Sequence, residues 1–236
     1  MSITPTYSRC IIGSEYFNEI SELIALGIEC ITINGSNKLD NEINSHTDIL
    51  CCRASDNIIF ADNGIAGELS KKISDYSIIP INGISSPYPD DVKLNVAFLG
   101  NTIICNSKYI AKELSDFCKT NKVHIIKTNQ GYTKCNLCVL NEKAVITEDS
   151  GLACLLKNYQ IDVLKIQPGY VALSEKHYGF IGGASARIAD DTVYFSGNIA
   201  EHPDYDKIIE FLNNYGFKPI FNKNRKLSDF GGLIML

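Results

Sequence analysis

A period of about 42 to 48 residues, traced by Ile11, Ile58, Ile103, Val145 and Val193, constrains this chain more than anything else in it. Each of those residues sits in a short apolar run that reads as a strand, followed by a helix, a second strand and a third. In the first copy Cys10-Ile11-Ile12 leads to a helix carrying Phe17, Ile20, Leu23 and Ile24, with Ser14 as its cap and Gly27 as its end, then to strands at Cys30 to Ile33 and Thr47 to Cys51. The later copies place their third strands at Leu94 to Leu99, Cys135 to Leu140, Gly179 to Ala184 and Asp229 to Leu236. One such unit leaves a small sheet with an uncovered face, so the units must pack on one another to make a core. Five in succession predict a closed ring: a single α/β domain of five repeats at about 10–53, 54–100, 101–140, 141–189 and 190–236. A doubly wound three-layer sheet is the competing architecture, because helix and strand alternation alone would also produce it.

The third strands carry polar and glycine positions where a packed interior would disfavour them: Asp48, Asn95, Asn136, Gly182-Gly183 and Gly231-Gly232. Such residues make sense around a wet cavity on the ring axis, which makes Asn95, Asn136, Gly182 and Gly183 candidate ligand-binding positions. The stretch Asn129 to Cys138, with Gln130-Gly131 ahead of a cysteine, is a plausible glycine-led strand for presenting a thiolate nucleophile.

Bulk properties narrow the class. With 45 % hydrophobic and 21 % charged residues and a net charge of -5, the chain is neither disordered nor equipped with a broad nucleic-acid face. No run approaches the roughly 18 apolar residues needed to span a bilayer, and Met1 to Arg9 lacks the apolar segment of a signal peptide, so a cytoplasmic location is expected. Nine cysteines fit reduced thiols. Cys135 and Cys138 have CxxC spacing but no second pair to complete a zinc site, and Cys51, Cys52, Cys105, Cys138 and Cys154 read as core. No cofactor is called for. His177-Tyr178 is a candidate for the cavity mouth, and His202-Pro203 reads as a helix start.

Through Gln130 to Cys135, Gly179 to Ala184 and Asp229 to Gly232, the sequence resembles the pentein superfamily of guanidino-group-modifying enzymes, and especially an uncharacterised bacterial branch of it. The resemblance implies five strand-strand-helix-strand units around a pseudo-fivefold axis, a five-bladed α/β-propeller. It further implies Cys135 as nucleophile, His46-Thr47-Asp48 as the histidine motif with His46 and Asp48 catalytic, and Asp229 beside Gly231-Gly232 as a guanidinium-binding acid. Gln130 belongs to the cysteine motif and joins the binding set. The family order of acid, histidine and cysteine is kept only if the ring is read from its fifth unit. The implied ligand is a small guanidine-like or amidine-like compound, and the implied reaction is hydrolysis or amidino transfer. A second reading is a non-catalytic pentein that binds a partner, as the ribosomal anti-association factor of that fold does.

Overall fold

The computed structural model describes residues 7–174 and 177–236. The chain begins with β1 (Arg9–Gly13), α1 (Phe17–Ala25) and β2 (Glu29–Ile33), and a helical turn, α2 (Thr47–Leu50), then leads into β3 (Cys51–Arg53), β4 (Ile58–Asp62), α3 (Asn63–Lys72) and β5 (Ser77–Ile81). There follow β6 (Ala97–Leu99), β7 (Thr102–Cys105), α4 (Lys112–Thr120) and β8 (His124–Lys127). A second helical turn, α5 (Thr133–Asn136), precedes β9 (Cys138–Asn141), β10 (Ala144–Thr147), α6 (Ser150–Lys157) and β11 (Asp162–Lys165). The chain ends with β12 (Ser185–Ala189), β13 (Thr192–Phe195), α7 (Tyr205–Asn214), β14 (Lys218–Phe221) and β15 (Ile234–Met235).

These strands form five three-stranded sheets, β15-β1-β2, β3-β4-β5, β6-β7-β8, β9-β10-β11 and β12-β13-β14. In every one a short strand runs antiparallel to the middle strand, and a helix carries the chain over to a third strand parallel to it. The middle strands β10 and β13 are buried along their whole length, which is why they read as unbroken apolar runs instead of alternating ones. Helices α4 and α7 bury one stripe, Leu114 with Cys118 and Ile208 with Leu212, against their sheets.

The ring is closed by pairing the two ends of the chain. Ile11 of β1 is in register with Ile234 of β15, and Leu236 donates its amide to Arg9 at 2.9 Å. Arg225 ties the last module to α1 by binding Glu19 and, at 3.2 Å, Glu22, while Tyr194 donates to Glu22 at 2.6 Å. The strand that ends each sequence repeat is therefore hydrogen-bonded to the middle strand of the next repeat.

Local details depart from expectation in instructive ways. Residues 47–50 and 133–136 are helical turns, and the strands expected there begin only at Cys51 and Cys138. These turns combine local bonds, as when Leu50 donates to the His46 carbonyl at 3.1 Å, with bonds from distant modules that take the amides of Asp48, Lys134 and Cys135. Residues 179–180 are coil and 181–184 a turn, and the fourth inner strand is β12, further along. Tyr16, not Ser14, precedes α1, and Phe17 and Ile24 on that helix are exposed because the narrow sheet covers little more than Leu23. Cys154 is exposed, unlike the other cysteines expected in the core. Among the described residues, no helix is long and apolar enough to cross a membrane.

Candidate functional site

Four segments, each lying just ahead of an inner strand, converge on the axis of the ring. Two are the helical turns α2 and α5. The third is the coil holding Asn95, and the fourth is the tail Asp229 to Gly232 ahead of β15. Turns suit this purpose, since they aim consecutive side chains in several directions where a strand would send alternate ones away from the centre.

The thiol of Cys135 lies between two partners from different modules. It donates to Asp48 Oδ2 at 3.1 Å and receives Asn95 Nδ2 at 2.9 Å. The same Asn95 amide group donates to Asp48 carbonyl at 3.1 Å, while its Oδ1 accepts the backbone amides of Lys134 at 2.8 Å and Cys135 at 3.2 Å. Asn95 is thus the hub that ties α2 to α5. On the other side, His46 Nδ1 stands 3.7 Å from Asp229 Oδ1, too long for a hydrogen bond but close enough for an ion pair when the imidazole is protonated. Asp229 is gripped by the amides of Phe180 and Gly231, each at 2.9 Å.

Glycine makes this convergence possible. A Cβ at Gly183 would collide with the Asp229 carboxylate, and one at Gly182 with the carbonyls of Lys134 and Cys135. Gly231, at a φ of +74°, takes a left-handed conformation that other residues resist, and a Cβ there would run into His46. Its carbonyl accepts the Asp48 amide at 3.0 Å. The axis is close-packed at these glycines, and a cavity of about 170 Å³ lined by Asp48, Lys134 and residues of β3, β6, β9 and β15 lies beside them.

Burial sets the electrostatics. Cys135 is 3 % exposed, His46 2 %, Asp48 1 % and Asp229 7 %. Burial, reinforced by the negative charges of Asp48 and Asp229, pushes the Cys135 thiol well above its ordinary value, against the donation from Asn95. Burial likewise raises the Asp48 carboxyl to about 6, although His46 and Lys134 pull it down. Both ring nitrogens of His46 and Asp48 Oδ1 make no hydrogen bond within the chain. Buried polar atoms of this kind ordinarily have partners.

Of the nine residues singled out from the sequence, Cys135, His46, Asp48, Asn95, Asp229, Gly182 and Gly183 meet at this centre. Asn136 and Gln130 instead line an adjoining cavity of about 400 Å³ together with Glu148, Asp149, Tyr178 and Phe180. Gln130 is engaged there by donating to Asp149 Oδ2 at 2.8 Å. His177, expected at the mouth of the axial cavity, pairs instead with Glu42 at 2.8 Å, and Tyr178 lines the adjoining cavity. Lys134 reaches from its helical turn to the Gly182 carbonyl at 3.1 Å. Sequence reasoning missed Glu148, whose carboxyl burial raises to about 7. A signal was available: in three successive repeats the middle strand ends at or just before a buried polar residue, Asp62, Asn106 and Glu148. Among the described residues, no group of three or more His, Cys, Asp or Glu is placed to hold a metal ion.

Comparison with known proteins matches this architecture. A dimethylarginine dimethylaminohydrolase from Pseudomonas aeruginosa, a cysteine-to-serine mutant complexed with citrulline, superposes with a TM-score of 0.57 at 9 % identity, covering 94 % of this chain and 95 % of its own. The amidinotransferase SxtG from Microseira wollei, of the saxitoxin biosynthetic pathway, gives 0.56 at 12 % identity over 93 % and 89 %. A C. jejuni agmatine deiminase with substrate bound gives 0.55 at 11 % identity over 98 % and 93 %. At such identities the likeness establishes the pentein fold and nothing finer. No curated protein matches the sequence. A family model spans residues 11–234, nearly the whole ring, and the chain, which has the pentein fold, accordingly belongs to that family of unknown function, DUF6873.

Proposed function

We propose that the protein is an enzyme acting on a small guanidine or amidine, with Cys135 as nucleophile. The observation that carries this reading is the placement of the Cys135 thiol between Asp48 Oδ2 and Asn95 Nδ2, with the His46–Asp229 pair contributed by other segments of the same ring. Asp48 and Asp229 are two carboxylates suited to a planar cation, since paired charge-assisted hydrogen bonds favour that geometry. Binding the cation also answers the chemical problem of the site. The thiol is held protonated by burial and by the two acids, and a neighbouring positive charge lowers its pKa, as it does for cysteines beside cationic groups.

The thiol proton passes to His46, and the thiolate attacks the amidine carbon. His46 passes a proton to the departing ammonia or amine as the carbon–nitrogen bond breaks, leaving an amidino-thioether on Cys135. Water deprotonated by His46 attacks the same carbon and expels the Cys135 sulfur, which makes the net reaction a hydrolysis. An amine in place of water makes it a transfer. Because the thiol is only 3 % exposed, the substrate reaches it after the surrounding wall opens.

That burial also favours a second reading, a binding protein whose central thiol is a packed polar core. One experiment separates the two. A panel of guanidines is incubated with the protein and with Cys135→Ala, and ammonia, amine and urea release are followed. Turnover lost in the variant supports the enzyme; turnover that survives removes Cys135 as nucleophile. Absence of turnover, together with a Cys135 inert to iodoacetamide, favours the binding protein.

A further inference from the structure

Two further thiols meet on the middle and outer strands of the first sheet. Cys10 of β1 and Cys30 of β2 stand opposite one another in parallel register, so both side chains leave the same face, and their sulfurs are 3.8 Å apart. Neighbouring strands lie about 4.8 Å apart, within the roughly 4.4–6.8 Å of Cα separation that a disulfide spans. Joining the two sulfurs therefore takes a side-chain rotation and no shift of the strands.

The two thiols are not equivalent. Cys10 is fully buried in a cluster with Ile12, Leu23 and Ile28, whereas Cys30 is half-buried beneath α1, its sulfur 3.9 Å from the Ile20 carbonyl and 3.8 Å from that of Ile28. Cys10 donates its S–H to Cys30 Sγ. That bond holds the Cys30 thiol below its ordinary value, against burial and the charge of Glu29, and raises the thiol of Cys10. Burial pushes Cys51, Cys52 and Cys138 upward, with no such donor to offset it. Since the thiolate is the attacking form, Cys30 is the nucleophile of the pair and Cys10 is placed to resolve what forms on it.

We infer that Cys10 and Cys30 are a second reactive site, a dithiol that a small hydroperoxide converts to an intramolecular disulfide. The Cys30 thiolate attacks one peroxide oxygen, the O–O bond breaks, and the departing oxygen takes a proton from solvent to leave as alcohol or water. Cys30 is then a sulfenic acid. The Cys10 sulfur attacks the Cys30 sulfur, and the sulfenic oxygen leaves as water with the Cys10 proton. Two thiols are oxidised by two electrons and one hydroperoxide is reduced. The roof formed by α1 admits an oxidant of this size and keeps a bulky disulfide from Cys30.

Peptide mapping of the full chain tests the assignment. The protein is treated with hydrogen peroxide at neutral pH, quenched with iodoacetamide in denaturant and cut with trypsin; both thiols fall in the peptide 10–38, which has no lysine or arginine before Lys38. That peptide should lose two hydrogens and refuse alkylation about 10-fold sooner than the exposed Cys154 is oxidised, and dithiothreitol should restore it. In Cys10→Ala, dimedone should trap a sulfenic acid on Cys30; in Cys30→Ala, Cys10 should stay reduced. Oxidation of Cys154 or Cys135 while the peptide keeps both thiols overturns the inference. So does a loss of thiols that dithiothreitol fails to reverse, or a sulfenic acid on Cys10 in Cys30→Ala. Should either variant not fold, the wild-type peptide still decides.

Discussion

Asn95→Ala should be the most damaging single truncation at the centre, and its cost can be worked from the contacts. The substitution removes both Oδ1 bonds, from the Lys134 and Cys135 amides, and both Nδ2 bonds, to Asp48 carbonyl and Cys135 Sγ. It leaves two amides and a carbonyl without their partner in a region where Asn95 is 1 % exposed. At roughly 1–3 kcal/mol for each orphaned buried group, with partial relaxation, the loss is about 4 kcal/mol. That is a large share of the 5–15 kcal/mol typical of a folded domain. Urea unfolding followed by far-UV circular dichroism should show it as a midpoint lowered by about 1.5 M, for a slope of about 2.5 kcal/mol/M. Asn95→Asp keeps acceptors for the two amides but sets a second buried carboxylate beside Asp48, so its instability should be greatest at neutral pH and ease as pH falls. A midpoint shift under about 0.4 M for Asn95→Ala would refute the hub.

Stability should rise as pH falls from 8 to 5. Burial raises Asp48 from 3.8 to about 6 and Glu148 from 4.5 to about 7, so both hold their protons more tightly folded than unfolded. Their contribution is complete below the unfolded values and lost as pH climbs through 6 and 7, up to about 3 kcal/mol each; urea midpoints should flatten with pH in Asp48→Asn and Glu148→Gln. Gly183→Ala should dislodge Asp229 from its amide donors and cost about 2–4 kcal/mol by overpacking, measurable by thermal melting; a change in midpoint below 2 °C would contradict the close packing. Arg225→Ala should loosen the junction of the last module with α1, costing roughly 1–3 kcal/mol, and hydrogen exchange should rise first in α1 and β14. Exchange rising equally throughout the ring would argue against a local clasp.

What the sequence determined by itself was the period and the apolar runs that carry it. The middle strands around Ile103, Val145 and Val193 were legible because they are buried on both faces along nearly all of their length, so almost every position had to be apolar or compact. His46, Asp48, Asn95 and Cys135 stood out for the opposite reason, as polar or reactive groups where a packed interior disfavours them. Tertiary structure alone decided how those residues present themselves. The turns α2 and α5 are set by local hydrogen bonding and by glycine backbones from distant modules pressing against them, and nothing in a four-residue window reports that pressure. Closure of the ring likewise depends on β15 meeting β1 across more than two hundred residues of chain. Glu148 was overlooked because a single acid at the end of a strand is ordinary in sequence; its recurrence in register with Asp62 and Asn106 was the one signal, and the tertiary structure adds that burial leaves one of its oxygens without a partner in the chain.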